Sequence, residues 1–178
     1  MEDSLRARIR AGDADAFAEL FDDTSPEVHR MALRATGDWA QAEDVVSLTF
    51  LEIWRLRQTV RHEDAPLRPF VLGVGLNVLR NQSRSARRHR AALARLPARE
   101  NQPDFADEVV DRIADAEQVA AARTALGGLN RAERDVVLLC GWSELNSEAA
   151  AEILGVAPGT VRSRLSRARA RLRASVDA

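Results

Sequence analysis

Eight residues near the C-terminus have the types and spacing to read a nucleic acid: Arg162, Ser163, Arg164, Ser166, Arg167, Arg169, Arg171 and Arg173. The six arginines fall within 12 residues and no acid separates them. A guanidinium forks onto guanine O6 and N7, and small hydroxyl residues let a helix approach base edges closely. On a helix, Val161, Leu165, Ala168 and Leu172 are spaced four, three and four apart, so they share one inward face. Ser163, Ser166 and Ala170 then lie opposite, with Arg162 and Arg167 at the margins. Arg162, Ser163, Ser166 and Arg167 are therefore the candidate base contacts. Thr160, Arg164, Arg169, Arg171 and Arg173 fall to the start and sides, where phosphates lie. The plain alternative is a bundle helix with a solvated arginine face. Repulsion between like charges three and four apart counts against it.

The element carrying these residues has a helix-turn-helix layout. A short helix, Ser147 to Leu154, meets a turn at Gly155-Val156-Ala157, and Pro158 opens a longer second helix. Such a motif lays its second helix in the DNA major groove. Upstream, Asn130 and Glu133 form a capping-box start to a helix through Leu139. Phe105 to Leu126 has helical spacing and stops at Gly127-Gly128. Towards the N-terminus, Asp13 caps a helix holding Phe17, Leu20 and Phe21. Ser25-Pro26 reads as a fresh start, Gly37 as a stop, and Asp38 as the cap of a helix from Trp39 to about Gln58. Pro66 and Pro69 open another helix, Phe70 to about Arg88. No alternating strand pattern appears. The expected fold is all-α: two small helical domains joined by a flexible linker, the second carrying the helix-turn-helix. Residues 97–104, with Pro97 and Pro103 and few apolar side chains, mark the linker. The divisions are 1–96, 97–111 and 112–178.

The chain has 178 residues and a net charge of −1, with 26 Arg and no Lys. That near-neutral total seems to argue against nucleic acid, but it is a cancellation. Residues 67–99 carry 8 Arg and no acid, and 157–178 carry 6 Arg and 1 acid. Residues 1–66 carry 8 Arg against 14 acids, and 100–130 carry 2 against 7. Local basic blocks are electrostatic footprints for phosphate whatever the whole-chain charge. No apolar stretch approaches the roughly 20 residues of a membrane span. The charged N-terminus lacks the apolar core of a signal peptide, so a cytoplasmic protein without membrane insertion is expected. The single Cys140, beside Leu138 and Leu139, excludes an intrachain disulfide and reads as a buried structural thiol. His29, His62 and His89 lack metal-ligand spacing. Gly73-Val74-Gly75 lacks the rest of a phosphate loop. No catalytic constellation, metal site or cofactor is expected.

The string Ala149-Ala150-Ala151-Glu152-Ile153-Leu154-Gly155-Val156-Ala157-Pro158-Gly159-Thr160-Val161-Arg162-Ser163-Arg164-Leu165-Ser166-Arg167-Ala168-Arg169 closely resembles region four of bacterial RNA polymerase sigma factors. Ala125-Leu126 and Leu129-Asn130-Arg131-Ala132-Glu133-Arg134 resemble its lead-in. Asn130 stands for a frequent proline, and Glu144-Leu145-Asn146-Ser147 for a frequent Gly-led turn. The first domain resembles region two through Asp15 to Phe21, Gly37-Asp38, Ala42 to Val46 and Thr49 to Arg55. Leu67-Arg68-Pro69-Phe70-Val71-Leu72-Gly73-Val74-Gly75-Leu76-Asn77-Val78-Leu79-Arg80-Asn81 continues that likeness. The two-domain layout matches the extracytoplasmic-function (ECF) group of the sigma-70 family.

The resemblance implies a dissociable polymerase subunit that recognises promoters. The second helix of the helix-turn-helix would read the −35 element. Asn77, Arg80, Asn81, Arg84, Arg87 and Arg88 would recognise and open the −10 element. Opening a duplex needs a pocket for an unstacked base and cations along the single strand. Asn77 can pair with a base edge and the arginines, Arg90 among them, with phosphates. Phe70 supplies the block's only aromatic ring, and core packing is its simpler role. Val45, Val46, Phe50 and Trp54 read mainly as core. Asp44, Ser47, Leu48 and Glu52 are then the docking residues for the β′ clamp helices, with Ser47 and Leu48 departing from the usual Gln and acid. The implied partners are core RNA polymerase (β′ clamp helices and β flap), promoter DNA and an anti-sigma factor. The linker, with Glu100, Asp104, Asp107 and Glu108, reads equally as an RNA mimic or a solvated spacer. A stand-alone helix-turn-helix regulator is the alternative. It would not need Asn77, the first basic block or the docking helix.

Overall fold

Helix starts are set by short polar side chains that accept hydrogen bonds from otherwise unpaired backbone N–H groups. In the computed structural model, which describes residues 4–59, 66–93, 120–121 and 123–176, five starts are built this way. Ser4 caps α1 (Leu5–Ala11), Asp13 caps α2 (Ala14–Thr36) and Asp38 caps α3 (Trp39–Leu56). A 3₁₀ turn, Arg57–Thr59, follows α3, and α4 spans Leu67–Leu93. Residues 120–121 and 123–127 are helical and form α5. Asn130 starts α6 (Arg131–Val136) with a complete capping box, its side chain accepting from Glu133 N while Glu133 accepts from Asn130 N. Asn146 starts α7 (Ser147–Leu154), and α8 spans Pro158–Val176. No strand occurs among the described residues.

The structure departs from the sequence reading at three places. First, α1 precedes Asp13 and was not anticipated: its charged look conceals Ile9, which is buried. The break at Ser25-Pro26 is absent, and α2 runs on with Pro26 inside it. Proline removes one backbone hydrogen bond and favours a kink. Here Ala16, Leu20, Val28, Met31 and Ala32 all lie buried along α2, which packs on α3 and α4. Thr24 Oγ1 donates to Leu20 O at 2.6 Å just before the proline. Shared burial outweighs the local signal. Third, α6 loses regular α geometry after Val136 and continues as a wider π-helical turn, Val137–Trp142. Ser143 N reaches back five residues to Leu138 O, at 3.1 Å, to close it.

The N-terminal unit packs α2, α3 and α4 against one another, with α1 across α2. Phe17 sits edge-on to Phe50 and Trp54, with centroids 6.1 and 5.0 Å apart, and Phe21 meets Phe50 at 4.6 Å. The C-terminal unit packs α6, its π turn, α7 and α8 around Val136, Leu139, Ala150, Val161 and Ala168. The two units also touch. α7 lies on α4, and the π turn lies near α2. The linker 97–111, with Glu100, Asp104, Asp107 and Glu108, and the boundaries proposed at 96 and 112 lie outside the described residues.

Candidate nucleic-acid interface

The turn between α7 and α8 closes on Gly155, whose φ of +64° is a left-handed conformation that side chains resist. Val156 N bonds Ala151 O at 3.1 Å, and Val161 N bonds Ala157 O as α8 starts. Val161 and Ala168 point into the core with no exposure, and Leu165 and Leu172 are half-buried beside them. The opposite face is open: Arg162, Ser163, Ser166, Arg167 and Ala170 are exposed. All four candidate base contacts therefore share one accessible face. Ser163 Oγ donates to Thr160 O at 3.2 Å. Arg162 reaches Glu148 of α7 at 3.4 Å, a surface pair that is easily exchanged.

Of the flanking set, Arg169, Arg171 and Arg173 are exposed, while Arg164 and Thr160 are half-buried. Arg171 Nη1 lies 3.2 Å from Glu133 Oε2, a carboxylate buried in α6. That ion pair was not legible from spacing, since 38 residues separate the partners in sequence.

The second basic element, α4, is built on two glycines. A Cβ on Gly75 would stand 3.1 Å from Met31 Cε and 3.4 Å from Val28 Cγ1, inside the N-terminal core. A Cβ on Gly73 would stand 3.3 Å from Ile153 Cγ2 of α7. The Gly-Val-Gly that resembled half a phosphate loop is thus a packing device that lets α4 be approached closely from two sides. Further along, Asn77, Asn81, Arg84 and Arg88 are exposed. The Arg87 side chain lies outside the described residues. Arg80 is not open to solvent like its neighbours. Its Nη2 donates to Asp135 Oδ2 at 2.7 Å and its Nη1 to Asn77 Oδ1 at 3.3 Å, while its Nε is buried without a partner. Asp135, absent from the sequence-based candidates, is buried. A cleft of about 710 Å³ opens there between the units, lined by Arg80, Arg84, Arg123, Arg131, Arg134 and Asp135.

On α3, Val45, Val46 and Phe50 are buried, as expected of core, and so is Ile53, while Trp54 is only half-buried. Asp44, Ser47 and Leu48 are exposed on the outer face, and Glu52 is half-buried and pairs with Arg55 at 2.9 Å. Leu51 was missed: it is 65% exposed, one helical turn from Leu48 at 43%. The signal was available in the i, i+3 spacing from Leu48. Phe70 packs partly buried against the core. Cys140 is half-buried, and burial pushes its thiol pKa up, away from a reactive thiolate. Among the described residues, no group of His, Cys, Asp and Glu could hold a metal, and no helix is long and apolar enough to cross a membrane.

Two family models match the chain: Sigma-70 region 2 over residues 20–89, and Sigma-70, region 4 over residues 120–172. The ECF RNA polymerase sigma factor SigL of Mycobacterium tuberculosis is 32% identical over 158 residues, covering 87% of this chain and 85% of SigL. The RNA polymerase sigma factor CnrH of Cupriavidus metallidurans is 30% identical over 183 residues, covering 98% and 93%. The solved structure of CnrH in complex with the cytosolic domain of CnrY matches the fold with a TM-score of 0.73. It is 25% identical over 97% of this chain and 95% of that one.

Proposed function

This chain belongs to the ECF RNA polymerase sigma factors of the sigma-70 family, and from that premise we propose how its helices divide the work of promoter recognition. It directs RNA polymerase to promoters, and its relatives are initiation factors rather than enzymes. The observation that carries the assignment is the open face of α8. Arg162, Ser163, Ser166 and Arg167 are all exposed opposite the buried Val161 and Ala168, ready for the major groove of a −35 element. Thr160, Arg164, Arg169, Arg171 and Arg173 hold the flanking phosphates.

The outer part of α4 takes the −10 element. Asn77 and Asn81 present amides to an unstacked base, and Arg80, Arg84, Arg87 and Arg88 neutralise the strand. The outer face of α3 docks on the β′ clamp helices through Asp44, Ser47, Leu48 and Glu52, with Leu51 as an added apolar anchor. Exposed apolar side chains rimmed by polar ones suit such a surface. The divisions 1–96, 97–111 and 112–178 follow from these roles. CnrH is held by the cytosolic domain of CnrY in its solved structure, and an anti-sigma partner of the same kind is proposed for this chain.

The test is transcription-start mapping after overexpression, followed by run-off transcription from the mapped promoter with purified core polymerase. The expected result is a new start site and a transcript that requires both proteins. Tight sequence-specific binding by the free chain, with no polymerase association, would replace this reading with that of a stand-alone regulator.

A further inference from the structure

We propose that the cleft between the two units binds a short phosphate chain, free or carried by a nucleotide, through Arg84, Arg123, Arg131 and Arg134. The site goes beyond promoter recognition: Arg123, Arg131 and Arg134 are not among the residues assigned to DNA or polymerase.

The cleft concentrates one sign of charge. Five arginines line it, and Asp135 is the only acid on its walls among the described residues. Arg80 takes that acid at 2.7 Å. Four guanidiniums then border one space with no second lining carboxylate to match them. Like charges gathered in a concave site repel one another and focus their field on its mouth, and a multivalent anion relieves the repulsion. Planar guanidinium forks suit phosphate oxygens in particular.

Two helices set the spacing. Arg80 and Arg84 lie about one turn apart on α4, and Arg131 lies about one turn before Asp135 on α6. The Arg80–Asp135 pair fixes these two rows against each other. Arg134 is held by carbonyl groups: its Nε and Nη2 donate to Leu126 O at 3.2 and 3.1 Å. Those acceptors are neutral, so its positive charge is not cancelled. Arg123 lies over the end of α2, where a Cβ on Gly37 would come within 2.7 Å of its Cδ. Its charge reaches Asp38, but that carboxylate already accepts from the backbone and side chain of Gln41. Cations held in place cost a ligand less ordering than mobile ones.

The volume, about 710 Å³, lies in the range of small-ligand sites. Residues of α2, α3, α4, α5 and α6 all contribute to the walls. A space bounded by five elements fits a compact polyanion better than a continuous nucleic-acid strand, which runs along an open groove. Gln82, Ser83 and Ser85 add hydrogen-bonding groups beside Arg84, and Leu76, Leu79 and Leu138 add an apolar wall. A nucleotide can use both, whereas a bare phosphate chain needs only the arginines.

Isothermal titration of the full chain tests the site, in about 150 mM salt to screen diffuse attraction. Inorganic tripolyphosphate and ATP, without added metal, should each bind once per chain. AMP should bind at least about tenfold more weakly, the loss expected when a charge-assisted contact is missing. Affinity for ATP no greater than for tripolyphosphate assigns the site to the phosphate chain alone. Tighter ATP adds the nucleoside, and either result supports the proposal. Arg123→Gln with Arg131→Gln, both at exposed positions, should weaken tripolyphosphate at least about tenfold. Arg30→Gln with Arg55→Gln removes the same charge from exposed positions that do not line the cleft, and should change binding little. Equal losses from the two double substitutions would reduce the effect to net charge and overturn the site. Absence of binding overturns it, and so does AMP that binds as tightly as ATP to the unaltered chain. If a short single-stranded oligonucleotide loses more affinity than tripolyphosphate on the Arg123 and Arg131 substitutions, the cleft belongs to a strand and the proposal fails.

Discussion

Arginine does several different jobs in this protein, and its partner decides which. Arg68 is structural: its fork onto Glu27 favours the charged form and raises its pKa, and the partner carboxylate is only 15% exposed. Arg57 lies over the Trp54 ring at 4.6 Å, a cation–π contact that anchors the turn after α3. Arg167, by contrast, is exposed on the reading face of α8. Arg167→Ala should cost about 1–3 kcal/mol at one position of the −35 element and relax specificity there, measured by competition among promoter variants. Arg171→Ala should weaken all sequences alike and lower the salt slope by about one phosphate's worth. An effect of Arg167→Ala that is uniform across sequences would remove it from the base contacts. The distinction between these arginines is invisible in a string of identical letters, because it lies in the partner each one meets.

At the scale of the element, one turn residue and one cap carry sharp expectations. Glu144 adopts a φ of +51° in the turn before α7, the only non-glycine in that region among the described residues. It stands where the region-four pattern frequently has glycine, and the left-handed conformation explains that preference. A side chain there costs about 1–2 kcal/mol, partly offset by the greater unfolded-state freedom of glycine. Glu144→Gly should therefore raise stability by about 0.5–1 kcal/mol, read from the urea midpoint. Asp38, the cap of α3, is held below its ordinary pKa chiefly by the backbone N–H of Gln41, against a smaller opposing effect of burial. Its folded-state value is depressed. The stabilisation is therefore complete above the unfolded value of 3.8 and is lost as pH falls through the lower folded value. Asp38→Asn keeps a capping oxygen without the charge. Thermal unfolding of the two proteins should show a difference in acid sensitivity confined to the acidic limb.

Over the whole molecule, a net charge of −1 is a balance between local blocks, and the structure shows where some of the opposite charges meet. The acids of α6 lie against arginines of α4 and α8. Arg68 joins α2, α4 and the end of the π turn, so it ties the two units together. Arg68→Ala should lower the stability of the full chain by about 1–2 kcal/mol. That is the worth of a charge-assisted hydrogen bond, discounted because the side chain is 43% exposed. Chemical denaturation would measure it, and loss of the interface should also make the transition less cooperative.

Much of this protein was legible in its sequence. The periodicity of Val161, Leu165, Ala168 and Leu172 determined which side of α8 faces the core, because burial follows helical spacing. The caps at Asp13, Asp38 and Asn130 determined where helices begin, because capping is a contact between near neighbours. The motifs around Gly155 and Asn77 pointed to the family. What depended on distant contacts was not legible. Pro26 reads as a helix start until the burial of Leu20 and Val28 on one continuous α2 is seen. Gly73 and Gly75 have no evident role within their helix until Ile153 and Met31 are placed on its two sides. Asp135 is one acid among 27 until the fold brings it, from 55 residues away, to Arg80. Local spacing determined which surfaces this chain makes. Only the tertiary structure decided which of them it covers with itself, because burial and ion pairing depend on distance in space and not along the chain.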